Sequence, residues 1–300
     1  MTRIQMATND DFEDWDTLSD YLGDQLNGNR IALILGAGIS KPLGLPKWDE
    51  LMTRLYSAKG GIPPANDPKR QAEYFRTKFF KGDPQGFKLA VSKALYEDVD
   101  DSYETLRRCD TLAAIASLAM SSKRGSASQV ITFNWDDLLE TYLEYHGFVT
   151  SSILHDIHWA TVSDTTIFHP HGFLPKNSKR KSTDNIVFDQ WSYTSIMGND
   201  GRIWRESLTA IMRTRTCLFI GLSGNDDNLD LLLHDCMNFH ASNTESTANW
   251  GVVFTSTTDE TELEFWKMRH VHPVVVKDFD RDLPQKLFCI PQSAAKIATR

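Results

Sequence analysis

The sequence predicts an α/β fold, a parallel sheet flanked by helices, and two observations carry that expectation. Short continuous apolar runs at 31–35, 130–133, 217–220 and 250–254 read as strands buried on both faces. Segments with helically spaced apolar residues alternate with them, the order expected of a parallel sheet with crossover helices. A chain of 300 residues, 41% hydrophobic and 24% charged, is long enough to bury a sizeable core, and a single domain over 1–300 is expected.

The elements follow in order. Leu18, Leu22 and Leu26 recur at helical spacing, with Tyr21 alongside, and predict a helix over 14–27 that ends at Gly28-Asn29. The strand 31–35 comes next. Trp48, Leu51, Met52 and Leu55 form one face of a second helix. Residues 59–70 are rich in Gly and Pro and read as a loop, and 71–121 is helical throughout, including 87–95 and 111–120. A helical insertion over about 59–125 is therefore expected. The strand 130–133 is followed by a helix over 137–146 carrying Leu138, Leu139, Tyr142 and Leu143. Ile167-Phe168 and Ile186-Val187-Phe188 are short strand candidates around a basic loop. Beyond them the pattern gives a helix at 202–213, a strand at 217–220, a helix at 226–240, a strand at 250–254, a helix at 259–270 and a last strand at 274–276.

The net charge is −8, which argues against a dedicated nucleic-acid binder. The basic stretch Lys176, Lys179, Arg180 and Lys181 reads as a solvated loop, so any nucleic-acid contact is at most indirect. Cys109, Cys217, Cys236 and Cys289 contain no C-x-x-C pair, so neither a zinc ribbon nor a redox motif is expected. The N-terminal segment is acidic where a signal peptide would be basic and then apolar, and no apolar run reaches ~18 residues. These features predict a cytoplasmic protein with free thiols and no membrane partner.

The run 31–35 enters Gly36-Ala37-Gly38-Ile39-Ser40, which makes the fold Rossmann-like. Closely spaced glycines at a strand end let backbone N–H groups approach a pyrophosphate. A hydride-transfer enzyme is disfavoured. Its fingerprint wants Gly or Ala where Lys41 stands, and an acidic residue ~20 positions on at a strand end, whereas Asp49 and Glu50 fall on a helix.

Four segments together resemble the sirtuin family. Gly36-Ala37-Gly38-Ile39-Ser40 followed by Gly44-Leu45-Pro46 resembles its NAD-binding loop and turn. Thr132-Phe133-Asn134-Trp135-Asp136 resembles its Thr-x-Asn-x-Asp segment, and His171-Gly172 its His-Gly pair. Gly221-Leu222-Ser223 resembles its Gly-x-Ser loop on the adenosine side. The four occur in family order across roughly residues 30–280. The chain departs from the protein deacylases in lacking both cysteine pairs of their structural zinc, and it has Lys47-Trp48 where they carry Phe-Arg. It is more similar to the zinc-less sirtuin-like proteins of bacterial anti-phage defence, which often have an Asp-rich segment like Asp226-Asp227-Asn228 after that loop.

The resemblance implies that NAD is a substrate and that the nicotinamide–ribose bond is hydrolysed to nicotinamide and ADP-ribose, with no zinc. It implies Gly36, Ala37, Gly38, Ser40, Gly221 and Ser223 as binding residues, and Asn134, Asp136 and His171 as the chemical ones. Asn134 would orient a water or the ribose hydroxyls. Asp136 can bond the ribose or the nicotinamide amide, or cap the helix that follows it. His171 would be the general base, with His169 its rival. His155 and His158 read as surface residues without a third metal ligand. Asp226, Asp227, Asp230, His234 and Asp235 leave a metal-dependent nuclease as a minor alternative, although acidic residues at a helix start also suit its dipole. NAD-dependent deacylation or ADP-ribosyl transfer is the enzymatic alternative, and a non-catalytic NAD or ADP-ribose sensor gating a partner is the other. A homo-oligomer is expected, with a separate partner such as a HerA-family ATPase implied by the resemblance.

Overall fold

The computed structural model describes residues 12–65, 67–120, 125–154, 162–197, 202–222, 226–243 and 249–297. The elements run α1 (Trp15–Asn27), β1 (Ile31–Leu35), α2 (Trp48–Ser57), α3 (Pro68–Phe80), α4 (Pro84–Leu95), α5 (Tyr103–Leu106), α6 (Asp110–Ala119), β2 (Gln129–Thr132) and α7 (Leu138–Tyr145). They continue as β3 (Thr150–Ile153), β4 (Thr165–Phe168), α8 (Gln190–Met197), α9 (Arg202–Thr214), β5 (Thr216–Ile220), α10 (Asp227–Asn243), β6 (Gly251–Thr255), α11 (Glu260–Lys267), β7 (Val271–Val275) and α12 (Asp282–Ile297). The fold is α/β and Rossmann-like. The seven strands form one sheet in the order β3-β4-β2-β1-β5-β6-β7, and every pairing is parallel.

The apolar runs are continuous because helices cover both faces of this sheet. In β1, Leu33 and Leu35 pack with α1, α6, α7 and α12, while Ala32 and Ile34 pack with α9, α10 and α11 on the other face. Helix α1 shows the local logic. Asp14 caps it by accepting the Thr17 N–H at 2.9 Å, Leu18, Leu22 and Leu26 are buried, and Gly28 ends it. Helices α2, α3 and α4 build a third cluster from Leu51, Met52, Leu55, Phe75, Phe87 and Val91, closed by Leu174, Ile186 and Phe188. Among the described residues no helix is long and apolar enough to cross a membrane.

Several elements differ from the sequence expectation. Residues 186–188 are not a strand. Ile186 and Phe188 are buried under α2–α4, and only the Val187 N–H reaches across, to the His171 carbonyl at 2.8 Å. The last strand is Val271–Val275, earlier than 274–276. Strand β3 carries no apolar signal because Thr150, Ser151 and Ser152 are polar, as a half-exposed edge strand permits. Helix α12 was hidden by Pro284 and Pro291, although Leu283, Leu287, Ile290 and Ala294 form a buried helical stripe against α1 and α6.

The topology places the site. From β1 the chain moves to β2 and out to the edge strand β3, fills the place between them with β4, then crosses to the opposite side of β1 with β5 and continues to β6 and β7. The strand order thus reverses between β1 and β5, and open α/β sheets bind ligands at the carboxyl ends of the strands flanking such a point.

Candidate functional site

At the reversal, the loops leaving β1 and β5 touch backbone to backbone. The Gly36 N–H donates to the Ile220 carbonyl at 3.0 Å, and the Gly38 N–H to the Gly221 carbonyl at 2.9 Å. A Cβ on Gly38 would stand 2.7 Å from the Gly221 Cα, and one on Gly36 would stand 2.6 Å from the Gly221 oxygen. Gly221 has φ of +73°, the left-handed region that favours glycine. These glycines are therefore required first for the approach of two loops, which leaves Ala37 exposed at the tip. Ser223 lies outside the described residues.

The segment leaving β2 locks onto the same loop. The Asn134 amide donates to the Gly36 carbonyl and to Ser40 Oγ, both at 3.2 Å, and Ser40 Oγ donates to Asp136 Oδ2 at 2.9 Å. Asn134, Ser40 and Asp136 are all buried. The other Asp136 oxygen accepts the Leu138 N–H at 3.2 Å. Asp136 thus caps the start of α7 with one oxygen, as one of the two readings had it, and holds the glycine loop through Ser40 with the other. Burial raises its carboxyl to about 6 against the hydrogen bonds from Leu138 and Ser40.

That shift fixes a sign. The folded protein holds the Asp136 proton more tightly than the unfolded chain does. The group's contribution to stability is full below about pH 4 and is lost as pH rises through about 6. About two pKa units correspond to roughly 2–3 kcal/mol. Asp136→Asn is expected to remove that loss and flatten the stability profile between about pH 4 and pH 7, as read by denaturant unfolding across that range.

The two histidines after β4 have opposite surroundings. His169 is fully buried; Nδ1 faces the Asn134 carbonyl at 3.1 Å and Nε2 faces Glu140 Oε1 at 2.8 Å. Both ring nitrogens of His169 are thus engaged within the protein and face no open space. Burial works to raise the Glu140 carboxyl, but His169, with Arg180 behind it, holds it below its usual value. His171 Nε2 instead meets the Asn228 amide nitrogen at 2.9 Å, with Asp226 at 3.6 Å. Its ring lies edge-on to Phe133 and Tyr193, at centroid distances of 4.8 and 5.3 Å. Burial lowers its pKa, Lys69 adds to the lowering and Asp226 opposes it, so the imidazole is neutral at physiological pH. The next residue, Gly172, has φ of +95°. The Trp135 indole fastens the loop by donating to the His171 carbonyl at 3.0 Å.

The basic loop 176–181 is not simply solvated. Lys176 donates to the Val99 carbonyl at 2.6 Å and pairs with Asp101 at 2.8 Å, while Arg180 pairs with Asp137 and with Glu144 at 2.6 Å. Lys176 thus ties the chain after His171 to the α4–α5 connection and Arg180 ties it to α7, while Lys179 and Lys181 are exposed.

The acidic segment is dispersed in the same way. Asp226 caps α10 by accepting the Asn228 and Leu229 N–H groups at 2.9 and 3.0 Å. Asp227 pairs with Lys69, Asp230 with Arg269 at 2.7 Å and Asp235 with Arg205 at 3.1 Å. Among the described residues no three His, Cys, Asp or Glu side chains are grouped to hold a metal ion; His155 and His158 lie outside them. The partners Glu140, Asn228 and Tyr193 were not singled out from the sequence for this site. Asn228 is marked only as part of the Asp-rich segment and the other two by nothing local, because all three meet their histidines only through the fold.

The class that fold and geometry define is a Rossmann-like α/β domain with a glycine loop at the switch point of its sheet. Residues 128–274 match the family model described as a SIR2-like domain, a span holding Asn134, Asp136, His169, His171 and Asn228. No curated protein matches the sequence. A solved structure described as "Structural Basis for the Mechanism and Regulation of Sir2 Enzymes" is similar at 13% identity, with a TM-score of 0.49 over 94% of this chain and 98% of that chain.

Proposed function

We propose that this chain is a sirtuin-like enzyme that hydrolyses NAD, releasing nicotinamide and ADP-ribose. The observation that carries the reading is the convergence of Ser40, Asn134 and Asp136 on the glycine loop at the switch point, with a neutral His171 on the neighbouring strand end. The SIR2-like match over 128–274 supports NAD-dependent chemistry in general. The order of the four sequence segments supports the same reading for the glycine loop, which lies ahead of the match.

Breaking the nicotinamide–ribose bond builds positive charge at the ribose carbon, so the site must hold the ribose and deliver a deprotonated oxygen to it. His171, neutral and bordered by aromatic rings, can take the proton from a water or a ribose hydroxyl. The carboxamide oxygen of Asn134, whose N–H groups are donated to Gly36 and Ser40, offers a polar contact to the ribose at the strand end. Asp136, half-neutralised near pH 6, can share a proton with a hydroxyl there. The exposed Ala37 tip, between two glycines whose N–H groups are donated to Ile220 and Gly221, is the surface on which the pyrophosphate would lie.

Incubating the purified protein with NAD tests this. Free ADP-ribose formed without any acceptor supports hydrolysis, a modified acceptor supports deacylation or ADP-ribosyl transfer, and binding without turnover supports a sensor. The finer reading is an anti-phage effector that depletes NAD under the control of assembly or of a partner ATPase, and it draws on the defence-protein resemblance. It predicts a homo-oligomer whose turnover changes with protein concentration, measured by sedimentation alongside the NAD assay; a strict monomer with concentration-independent turnover contradicts it.

A further inference from the structure

We propose that helices α3 and α8 form a lid over His171, latched to the start of α10 by Lys69 and Tyr193, and that NAD reaches the imidazole only when this latch opens. The inference rests on the reading of His171 as the base of NAD cleavage and adds the step that admits the substrate to it.

Access is the first observation. Ser40, Asn134, Asp136 and His171 are each no more than 9% exposed, whereas Ala37 at the tip of the glycine loop is exposed. The surface for the pyrophosphate is open while the groups that act on the ribose are covered. A general base must come within about 2.6–3.2 Å of the proton donor, directly or through one water, so the covered imidazole has to be uncovered before the ribose can reach it. Three helices supply the cover. The Tyr193 ring of α8 lies edge-on to the imidazole at 5.3 Å, and Asn228 and Asp226 approach it from the start of α10. Lys69 of α3 lies over the Tyr193 ring, 4.5 Å from its centroid.

The second observation is how the cover is tied. Phe188, just ahead of α8, is buried in the cluster under α2–α4, and the buried Asp189 beside it pairs with Arg76 of α3 at 2.9 Å. Helices α3 and α8 therefore belong to one body. Across to α10 the ties are exposed or long. Lys69 pairs with Asp227, whose side chain is 55% exposed, and the Tyr193 hydroxyl donates to Asp226 at 3.4 Å. None of the side chains of residues 190–195 is buried, so α8 is not anchored over the site by a core of its own. Exposed ion pairs contribute little, whereas breaking a buried one is costly. Firm ties within a body and weak ties at its free side suit a lid that gates a site.

The test is the rate at which diethyl pyrocarbonate modifies His171 at about pH 8, where a histidine is neutral. Mass spectrometry reads that rate against the exposed His146 of the same molecule, beside NAD turnover. In wild type His171 should react far more slowly than His146. Lys69→Glu and Asp227→Lys each set like charges at the latch and should raise the His171 rate by roughly three- to ten-fold, with turnover rising alongside. The double variant restores the pair with its signs exchanged and should return both rates toward wild type. Lys69 also presses the His171 pKa down, so by charge alone Lys69→Glu would make the ring less reactive, opposite in sign to opening. The loss of an acidic residue from the first turn of α10 in Asp227→Lys is not reversed by Lys69→Glu, so recovery in the double variant identifies the latch. Wild-type His171 reacting as fast as His146 overturns the proposal, as do unchanged rates in the single variants or a double variant no closer to wild type than they are. If the modification rates behave as expected and no variant cleaves NAD, the lid stands and the hydrolase reading fails.

Discussion

Replacing His171 by alanine is expected to reduce NAD turnover by about 10²–10⁴-fold while leaving the protein folded. The ring is buried, but its polar bonds are few: one to the Asn228 carboxamide and a longer approach to Asp226. Replacing His169 should do the reverse in kind. Its loss breaks the pair with Glu140 and the bond to the Asn134 carbonyl, leaving a buried carboxylate with only Arg180 and Ser152 near it. Removing one partner of a buried pair costs about 3–5 kcal/mol. His169→Ala should therefore show a large drop in melting temperature, and His171→Ala a loss of rate without one. Melting curves and initial rates on the two variants separate these roles, and equal loss of rate and stability in both would refute the assignment.

The second large effect belongs to the loop contact. Gly38→Ala places a methyl group 2.7 Å from the Gly221 Cα and 3.0 Å from its oxygen, against backbone on both counts. The loops leaving β1 and β5 must then separate, breaking the Gly38 to Gly221 hydrogen bond and moving Ser40 from Asn134 and Asp136. Overpacking of this kind costs about 1–3 kcal/mol. The greater effect should fall on ligand affinity, since the glycine loop itself is displaced. Gly60, whose added Cβ would meet nothing within 4 Å, provides a control, although its φ of +71° carries its own backbone strain. Calorimetric titration with NAD or ADP-ribose should show weakened binding for Gly38→Ala and unchanged affinity for Gly60→Ala.

The fold was readable where burial on both faces wrote continuous apolar runs into the chain, as at Ile31–Leu35 and Thr216–Ile220. It was unreadable where one element had to be told from another by its surroundings. Ile186, Val187 and Phe188 look like a strand but meet helices instead of a sheet. Thr150–Ile153 is a strand although its sequence is polar, because the ladder with β4 supplies what its side chains do not. For α12, two prolines masked a buried stripe whose partner α1 lies near the other end of the chain.

The candidate site follows the same division. The glycine loop and Asn134 were visible because turns need glycine and strand ends carry ligand groups. The division of labour between His169 and His171 was invisible, because Glu140 lies 29 residues from His169 and Asn228 lies 57 from His171. Which nitrogen carries a proton is set by those distant partners, and a two-residue spacing says nothing of it.

In the proposed reaction water is the acceptor when the nicotinamide–ribose bond breaks beside the glycine loop between β1 and β5. That role of water is tested most directly by supplying NAD to the purified protein in heavy-oxygen water and weighing the products. The account predicts nicotinamide and ADP-ribose in equal amounts, with one solvent oxygen in each ADP-ribose. NAD left intact at every protein concentration, or nicotinamide released with the ADP-ribose recovered on a protein instead of in solution, would contradict it.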